Sequence, residues 1–348
     1  MSKYPYSLYF LALGISFFMS FFLVPLFRLI ALKLKVLDMP HSQVKTHKEP
    51  IPYLGGLPIW IGWIVSLFII RFTTFFPTGT LHSLRGIILG SILILILGLA
   101  DDIIPKGLGF KSKLLVQTLA ALIVILFDIR LHFINPNFIA IIVSVIWIIG
   151  ITNSLNIIDI MDGLSSGIAF IACMAFLFIA LPTEQIYVNF CAAALAGGIL
   201  GFIPYNLSKG KKIFMGDTGS LTIGFILASI SLGTSYTKVN YIGLFAPLLI
   251  LAIPIYDTFL VMVLRWSKSI SPFMGSKDHF ALRLEKIGFS RKQILLITYF
   301  ASIILSLSAF LITRLSTEYA TYIFIFIVLL AIITAYRLSQ VKMEEKGK

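Results

Sequence analysis

Four polar side chains fall three residues apart in the stretch NSLNIIDIMDGLSSG: Asn153, Asn156, Asp159 and Asp162. Steps of three keep side chains near one face of a helix, drifting slowly around it, while Ile157, Ile158, Ile160 and Met161 cover much of the rest. One helical polar stripe is therefore expected, closed by Gly163, where the backbone can turn or approach another group. A buried structural stripe between helices is the plain alternative. Four such groups exceed what packing needs, and a shared polar ligand accounts for them better. A second cluster, Asp101-Asp102, ends an apolar run just before a short loop with Lys106, Lys111 and Lys113. Adjacent carboxylates repel unless a cation or proton holds them. Magnesium does this with few carboxylates plus substrate phosphates. A solvated helix end is the simpler account of an isolated aspartate pair.

In KKIFMGDTGSL, Gly216, Asp217, Thr218, Gly219 and Ser220 precede an apolar run. Glycines and small hydroxyl residues at a helix start are expected to leave backbone N–H groups free for phosphate, although Asp217 alone could be only a cap. Asn206 adds a donor and an acceptor just upstream. The basic segment 265–289 contributes Arg265, whose planar fork suits a diphosphate, and His279, which taken alone could be solvated or structural. Residues 33–56 have no regular pattern, and their prolines and Gly55-Gly56 indicate an ordered turn.

These groups need elements to hold them, and the composition says which kind. The 348 residues are 58% hydrophobic and only 12% charged, unlike a soluble globular domain. Eleven apolar runs are candidates to cross a bilayer as helices: 7–30, 54–70, 86–100, 113–131, 137–152, 164–181, 187–205, 219–235, 241–264, 294–313 and 318–336. The first has one preceding lysine and no small-x-small site, so it does not read as a cleavable signal. Assigning alternate loops to one side places 22 of the 28 Lys and Arg residues together. That bias predicts cytoplasmic basic loops, an outside N-terminus and a cytoplasmic C-terminus. It accounts for most of the net charge of +13 without nucleic acid, leaving a smaller share for anionic substrates or headgroups. Cys173 and Cys191 lie inside apolar runs and suggest neither a disulfide framework nor a metal site. The expected fold is thus an all-α polytopic membrane protein forming one domain over 1–348. Its cytoplasmic active-site loops are expected near 31–53, 101–113, 153–163, 206–220 and 265–293, where most acids also fall.

Taken together and in this order, the H-x-x-P-x-P-x-x-G-G pattern beginning at His47, the DD pair with its downstream Lys113 and Gln117, NxxNxxDxxDGL, MGDTGSL and SPF…DH resemble the polyprenyl-phosphate N-acetylhexosamine-1-phosphate transferase superfamily, glycosyltransferase family 4. The likeness covers nearly the whole chain and sits nearest the undecaprenyl-phosphate N-acetylglucosaminyl 1-phosphate transferase branch. It implies a magnesium enzyme, with manganese as a substitute, of the bacterial inner membrane. A UDP-linked N-acetylhexosamine on the cytoplasmic side would give its sugar-1-phosphate to polyprenyl phosphate, releasing UMP. This would be a first membrane step toward a cell-envelope polysaccharide such as O-antigen, lipopolysaccharide or teichoic acid. The resemblance implies Asp217 as a metal ligand, with Asp101 or Asp102 sharing the ion or its waters, and Asp101 deprotonating or orienting the lipid phosphate. Lys113 would face a phosphate. Asn153, Asn156, Asp159, Asp162 and Asn206 would line the nucleotide and metal region. His47 and Gly216 complete the substrate-binding set, and Arg265 and His279 would close over the diphosphate or sugar. A homodimer is a further expectation, without an identified patch. The sequence departs from the family in KDHFALRL, where Ala281 and Leu282 stand in place of further histidines. That keeps open another UDP-N-acetylhexosamine, or phospho-N-acetylmuramoyl-pentapeptide transfer. A proton-coupled transporter is the alternative from a different class. It calls for acids at bilayer mid-depth and inverted repeats, whereas here the acids gather at helix ends.

Overall fold

A computed structural model describes residues 4–39, 49–104, 107–183, 185–234, 236–237, 239–269 and 277–343. Contacts group the chain into a first unit that runs through Ser235 and a second that begins at Tyr236.

In the first unit, α1 (Tyr6–Leu34) leads into a two-residue antiparallel pair, β1 (Leu37–Asp38) with β2 (Ile51–Pro52), in which Leu37 faces Pro52 and Asp38 faces Ile51. Then follow α2 (Gly56–Thr73), α3 (Thr78–Ile103), α4 (Phe110–Leu126), α5 (Asn137–Ile157), α6 (Leu164–Ala180), α7 (Ile186–Asn206) and α8 (Gly216–Leu232). Helix α1 packs on α2 and α7, α3 on α4 and α8, α5 on α8, and α6 on α7. Helix α8 lies in the middle of this set, and every residue from Thr218 to Ser231 is buried. The second unit holds α9 (Ala246–Ile250), α10 (Ala252–Ser267), α11 (Phe280–Lys286), α12 (Arg291–Ile312) and α13 (Thr317–Ser339).

Each of the eleven expected runs carries helix, but they differ in their capacity to cross a bilayer. Helices α1, α2, α3, α5, α7, α12 and α13 are long and apolar enough, making seven among the described residues. The run at 241–264 is broken. Its two helical pieces, Tyr241–Ile250 and Ala252–Ser267, meet at 73°, and counting them as one span gives eight. Pro254, which has no N–H to donate, lies just past this break. Helices α4, α6 and α8 have 17 residues each, about 26 Å at the α-helical rise and short of a hydrocarbon core of about 30 Å.

Candidate active site

The polar groups of the first unit gather where the C-terminal ends of α3, α5 and α7 meet the N-terminal ends of α4 and α8. Asp101 and Asp102 occupy the last turn of α3. Neighbouring residues on a helix point about 100° apart, and the two carboxylates accordingly have different partners. Asp101 Oδ1 accepts the Leu108 N–H at 2.5 Å, and its Oδ2 lies 2.7 Å from Lys113 Nζ on the first turn of α4. The same ammonium is 2.7 Å from Asp217 Oδ2. Asp102 Oδ1 instead accepts the Asp217 N–H at 2.9 Å, while Oδ2 accepts the Thr218 N–H at 3.0 Å and the Thr218 hydroxyl at 2.6 Å. These N–H groups were expected to be free for phosphate. Asp102 is the anion that takes them, at the positive end of the α8 dipole. Its share in a metal shell is thereby reduced to the lone pair left on Oδ1.

Backbone spacing makes this contact feasible. Gly216 opens α8 at φ +71°, and a Cβ there would lie 2.3 Å from Asp102 Oδ2. Gly98 and Gly56 press on the same turn from α3 and α2. A Cβ on Gly98 would meet the Asp217 carbonyl oxygen at 2.5 Å, and one on Gly56 the Gly219 nitrogen at 2.2 Å. The segment before α2 also laces onto the turn: Phe214 N–H donates to the Pro52 carbonyl, and Gly55 and Gly56 N–H donate to the carbonyls of Phe214 and Met215.

The polar stripe at 153–162 does not form one helical face. Helix α5 ends at Ile157, and Asp159 and Asp162 lie on the turn that follows, before Gly163 at φ +80°. The asparagines stay on the helix. Asn156 Nδ2 donates to Asp217 Oδ1 and Ser220 Oγ, both at 2.9 Å. Asn153 exchanges amide hydrogen bonds with the buried Gln117. Asp162 pairs with Lys212 Nζ at 2.5 Å. Asn206 was expected to line the nucleotide region, but both ends of its amide are committed: Oδ1 accepts the Gly163 N–H at 2.7 Å and Nδ2 donates to the Ile213 carbonyl at 3.1 Å. It ties the 158–163 turn to the segment leading into α8. The half-buried Asp159 carboxylate makes no hydrogen bond or ion pair among the described residues. Withdrawal from water, reinforced by the like charges of Asp217, Asp162 and Asp102, pushes it up to about 8.

The second unit carries its own cluster. Asp257 on α10 faces His279, which precedes α11, with Asp257 Oδ2 2.7 Å from the ring Nδ1. Asp278 pairs with Arg283 at 2.7 Å and with Lys268 at 3.1 Å. Arg265 is buried on the last turn of α10. His47 lies outside the described residues. Sequence reasoning passed over Lys212 and Asp257 as site residues, and it read Thr218 only as part of a phosphate-binding helix start, not as a partner of Asp102. Of these three, Asp257 had a visible signal, a carboxylate inside the apolar stretch IPIYDTFL.

Among the described residues no three His, Cys, Asp or Glu side chains form a ready metal cage. Magnesium asks for less, commonly one or two carboxylates with water and phosphate supplying the rest. The crossing of Asp101 Oδ2 and Asp217 Oδ2 already seats one positive charge, the Lys113 ammonium, 2.7 Å from each. These two carboxylates fit a hard cation, with Asp159 as the uncommitted acid beside them.

The model of the family described as Glycosyl transferase family 4 matches residues 84–235, a span that includes Asp101, Lys113, Asn156 and Asp217. Over 319 residues the chain is 30% identical to a probable undecaprenyl-phosphate N-acetylglucosaminyl 1-phosphate transferase of Bacillus subtilis, covering 88% of this chain and 86% of the relative. It is 26% identical to a decaprenyl-phosphate N-acetylglucosaminephosphotransferase of Mycobacterium tuberculosis, over 78% of this chain and 74% of the relative. A phospho-N-acetylmuramoyl-pentapeptide-transferase of Streptococcus pneumoniae is 34% identical over a shorter stretch, 55% of this chain and 63% of the relative. The chain belongs to glycosyl transferase family 4, in its polyprenyl-phosphate N-acetylglucosamine-1-phosphate transferase branch.

Proposed function

We propose that this protein transfers N-acetylglucosamine-1-phosphate from UDP-N-acetylglucosamine to undecaprenyl phosphate or a similar polyprenyl phosphate, releasing UMP. The observation that carries the reading is the seat formed by Asp101, Lys113 and Asp217, which lies inside the family-matched span. In the reaction, an oxygen of the lipid phosphate attacks the phosphorus bound to the sugar. A new P–O bond forms, the bond to the bridging oxygen of the UMP moiety breaks, and UMP leaves with that electron pair. The attacking phosphate is anionic at neutral pH and needs placing more than activation.

The chain's residues have distinct tasks in this scheme. Lys113 brings positive charge to the phosphates. Asn156 holds the Asp217 carboxylate by Oδ1, leaving Oδ2 to face a cation. Asp102 clamps the 216–218 turn, and Asn206 sets the 158–163 turn against it. Magnesium bound to Asp217 and Asp101 would offset the charge that builds on the leaving phosphate. With the basic loops in the cytoplasm, as the charge bias predicts, this end of the helices would face the side of a bacterial membrane where a nucleotide sugar is available.

UMP release by purified protein with undecaprenyl phosphate and magnesium tests the reading, across UDP-N-acetylglucosamine, UDP-N-acetylgalactosamine and UDP-MurNAc-pentapeptide. Turnover with the first is expected. Turnover only with the pentapeptide donor would transfer the chain to the activity named for the pneumococcal relative. No UMP from any donor would overturn the reading.

A further inference from the structure

The transfer scheme gives no task to a group of cations at the same end of the first unit. Arg28, Lys33 and Lys35 lie on the last turns of α1 and its cap, and Lys209, Lys211 and Lys212 on the segment between α7 and α8. Arg28 joins the two: its Nε donates to the Lys212 carbonyl at 3.2 Å and its Nη2 to the Gly210 carbonyl at 3.5 Å. Lys212 turns inward, to Asp162 and over the Phe214 ring. Lys33, Lys35, Lys209 and Lys211 are exposed, and none of their ammonium groups has a carboxylate or other hydrogen-bond acceptor among the described residues. Of the acids beside them, Asp162 is taken by Lys212 and Asp38 is buried. Like charges left unbalanced repel one another, and an anion from outside relieves them.

The surroundings say which anion. Leu29, Leu32, Leu34 and Leu207 are exposed between and beside these lysines. With 29 residues, α1 is about 44 Å long against a hydrocarbon core of about 30 Å, so its basic end reaches the headgroup level when its apolar length crosses the core. A skirt of leucines under a rim of ammonium groups matches an amphiphile with acyl chains on one side and a phosphate on the other. A soluble anion would gain nothing from the leucines.

We propose that this rim is a docking surface for anionic phospholipid headgroups, and that a headgroup held by Lys209 and Lys211 steadies the segment leading into Asp217. The path between them is short. The Lys211 N–H donates to Ser208 Oγ at 3.0 Å, which closes the loop. Beyond Lys212, the Phe214 N–H and the Met215 carbonyl are tied to the Pro52 carbonyl and the Gly56 N–H, and Asp217 follows two residues later. The effect on turnover, though not the docking, rests on the transferase reading.

Native mass spectrometry of the detergent-solubilised full chain gives the affinity of the first lipid bound, for phosphatidylglycerol and for phosphatidylcholine of matched acyl chains. Wild type is expected to bind phosphatidylglycerol about tenfold more tightly. Changing Lys33, Lys35, Lys209 and Lys211 together to Gln should bring the two lipids within about twofold, whereas changing the four to Arg should keep the preference. Arg85→Gln, at the far end of α3 from Asp101, should keep it too. The docking is overturned if the Gln variant retains the preference, if Arg85→Gln loses it equally, or if glycerol phosphate displaces the bound lipid at equal concentration. Should the Gln variant fail to fold, the wild-type preference and the glycerol phosphate competition decide. In nanodiscs at fixed magnesium, replacing about a third of the phosphatidylcholine with phosphatidylglycerol should raise UMP release about threefold in wild type and leave the Gln variant unchanged. Tight phosphatidylglycerol binding with no change in turnover would overturn the steadying of the loop. A wild type that releases no UMP in either lipid would defeat the transferase reading, a different result from an active wild type that binds both lipids alike.

Discussion

The two polar clusters use similar residues in opposite ways. In the first unit the ion pairs are accessible, with side-chain exposures of 22% for Lys113, 13% for Asp101 and 24% for Asp217. In the second, the Asp257–His279 and Asp278–Arg283 pairs are sealed, at 0% for Asp257, 5% for His279 and 2% for Arg283, and only Lys268 reaches Asp278 from a more open position. An accessible pair contributes little net stability and can exchange one partner for a ligand. A sealed pair is costly to break because the remaining charge stays buried. The first cluster is therefore suited to binding and release, and the second to holding a shape.

That contrast can be tested by substitution. Asp217→Asn should lower turnover about a thousandfold, as expected when a cation loses its main carboxylate, while melting temperature moves little. A large drop in melting temperature would mean that the accessible cluster is structural after all. Arg283→Met keeps the bulk but abandons the Asp278 carboxylate and the end of α13, and should destabilise the fold by about 3 kcal/mol. Unchanged thermal unfolding would show that the sealed cluster does not bear on stability. Lys113→Gln should cost about ten- to a hundredfold in turnover, and raising the magnesium concentration should recover part of it. An effect confined to stability would remove Lys113 from the chemistry.

The smallest effect concerns Asp159. Burial and the like charges around it push its carboxyl up to about 8, far above the ordinary aspartate range. The folded protein therefore binds that proton more tightly than the unfolded chain, so the favourable contribution is complete below about pH 4 and fades as pH rises through 8. Without magnesium, the melting temperature of wild type should fall across this window more steeply than that of Asp159→Asn, which has no proton to lose. Parallel profiles would remove Asp159 from the charge balance of the site.

Much of this organisation was legible in the sequence. Apolar runs located the helices because burial against lipid or protein needs a continuous apolar stretch, and acids at the run ends located the first cluster. The misread features were those that depend on partners distant in the chain. The beat of three from Asn153 to Asp162 read as unbroken helix, yet helical spacing carries no record of where backbone groups find partners, and α5 stops at Ile157. The aspartate pair read as two charges awaiting one cation. One of them instead binds the start of α8, 115 residues away. The 17 residues of α8 gave no sign that it would be wrapped entirely by protein. Asp257 was visible as an acid in oil, but its pairing with His279, 22 residues on, is made only by the tertiary fold.

Helix α8 has one more consequence. Asp217, the carboxylate proposed to face the phosphates, begins an element walled off from the acyl chains by α3, α5 and their neighbours. A thicker or thinner membrane would press first on the outer ring of helices, and only a distortion of that ring could reach Asp217. Turnover should thus be buffered against changes in acyl-chain length that merely tilt the periphery, letting the enzyme keep its pace while the cell remodels its lipids.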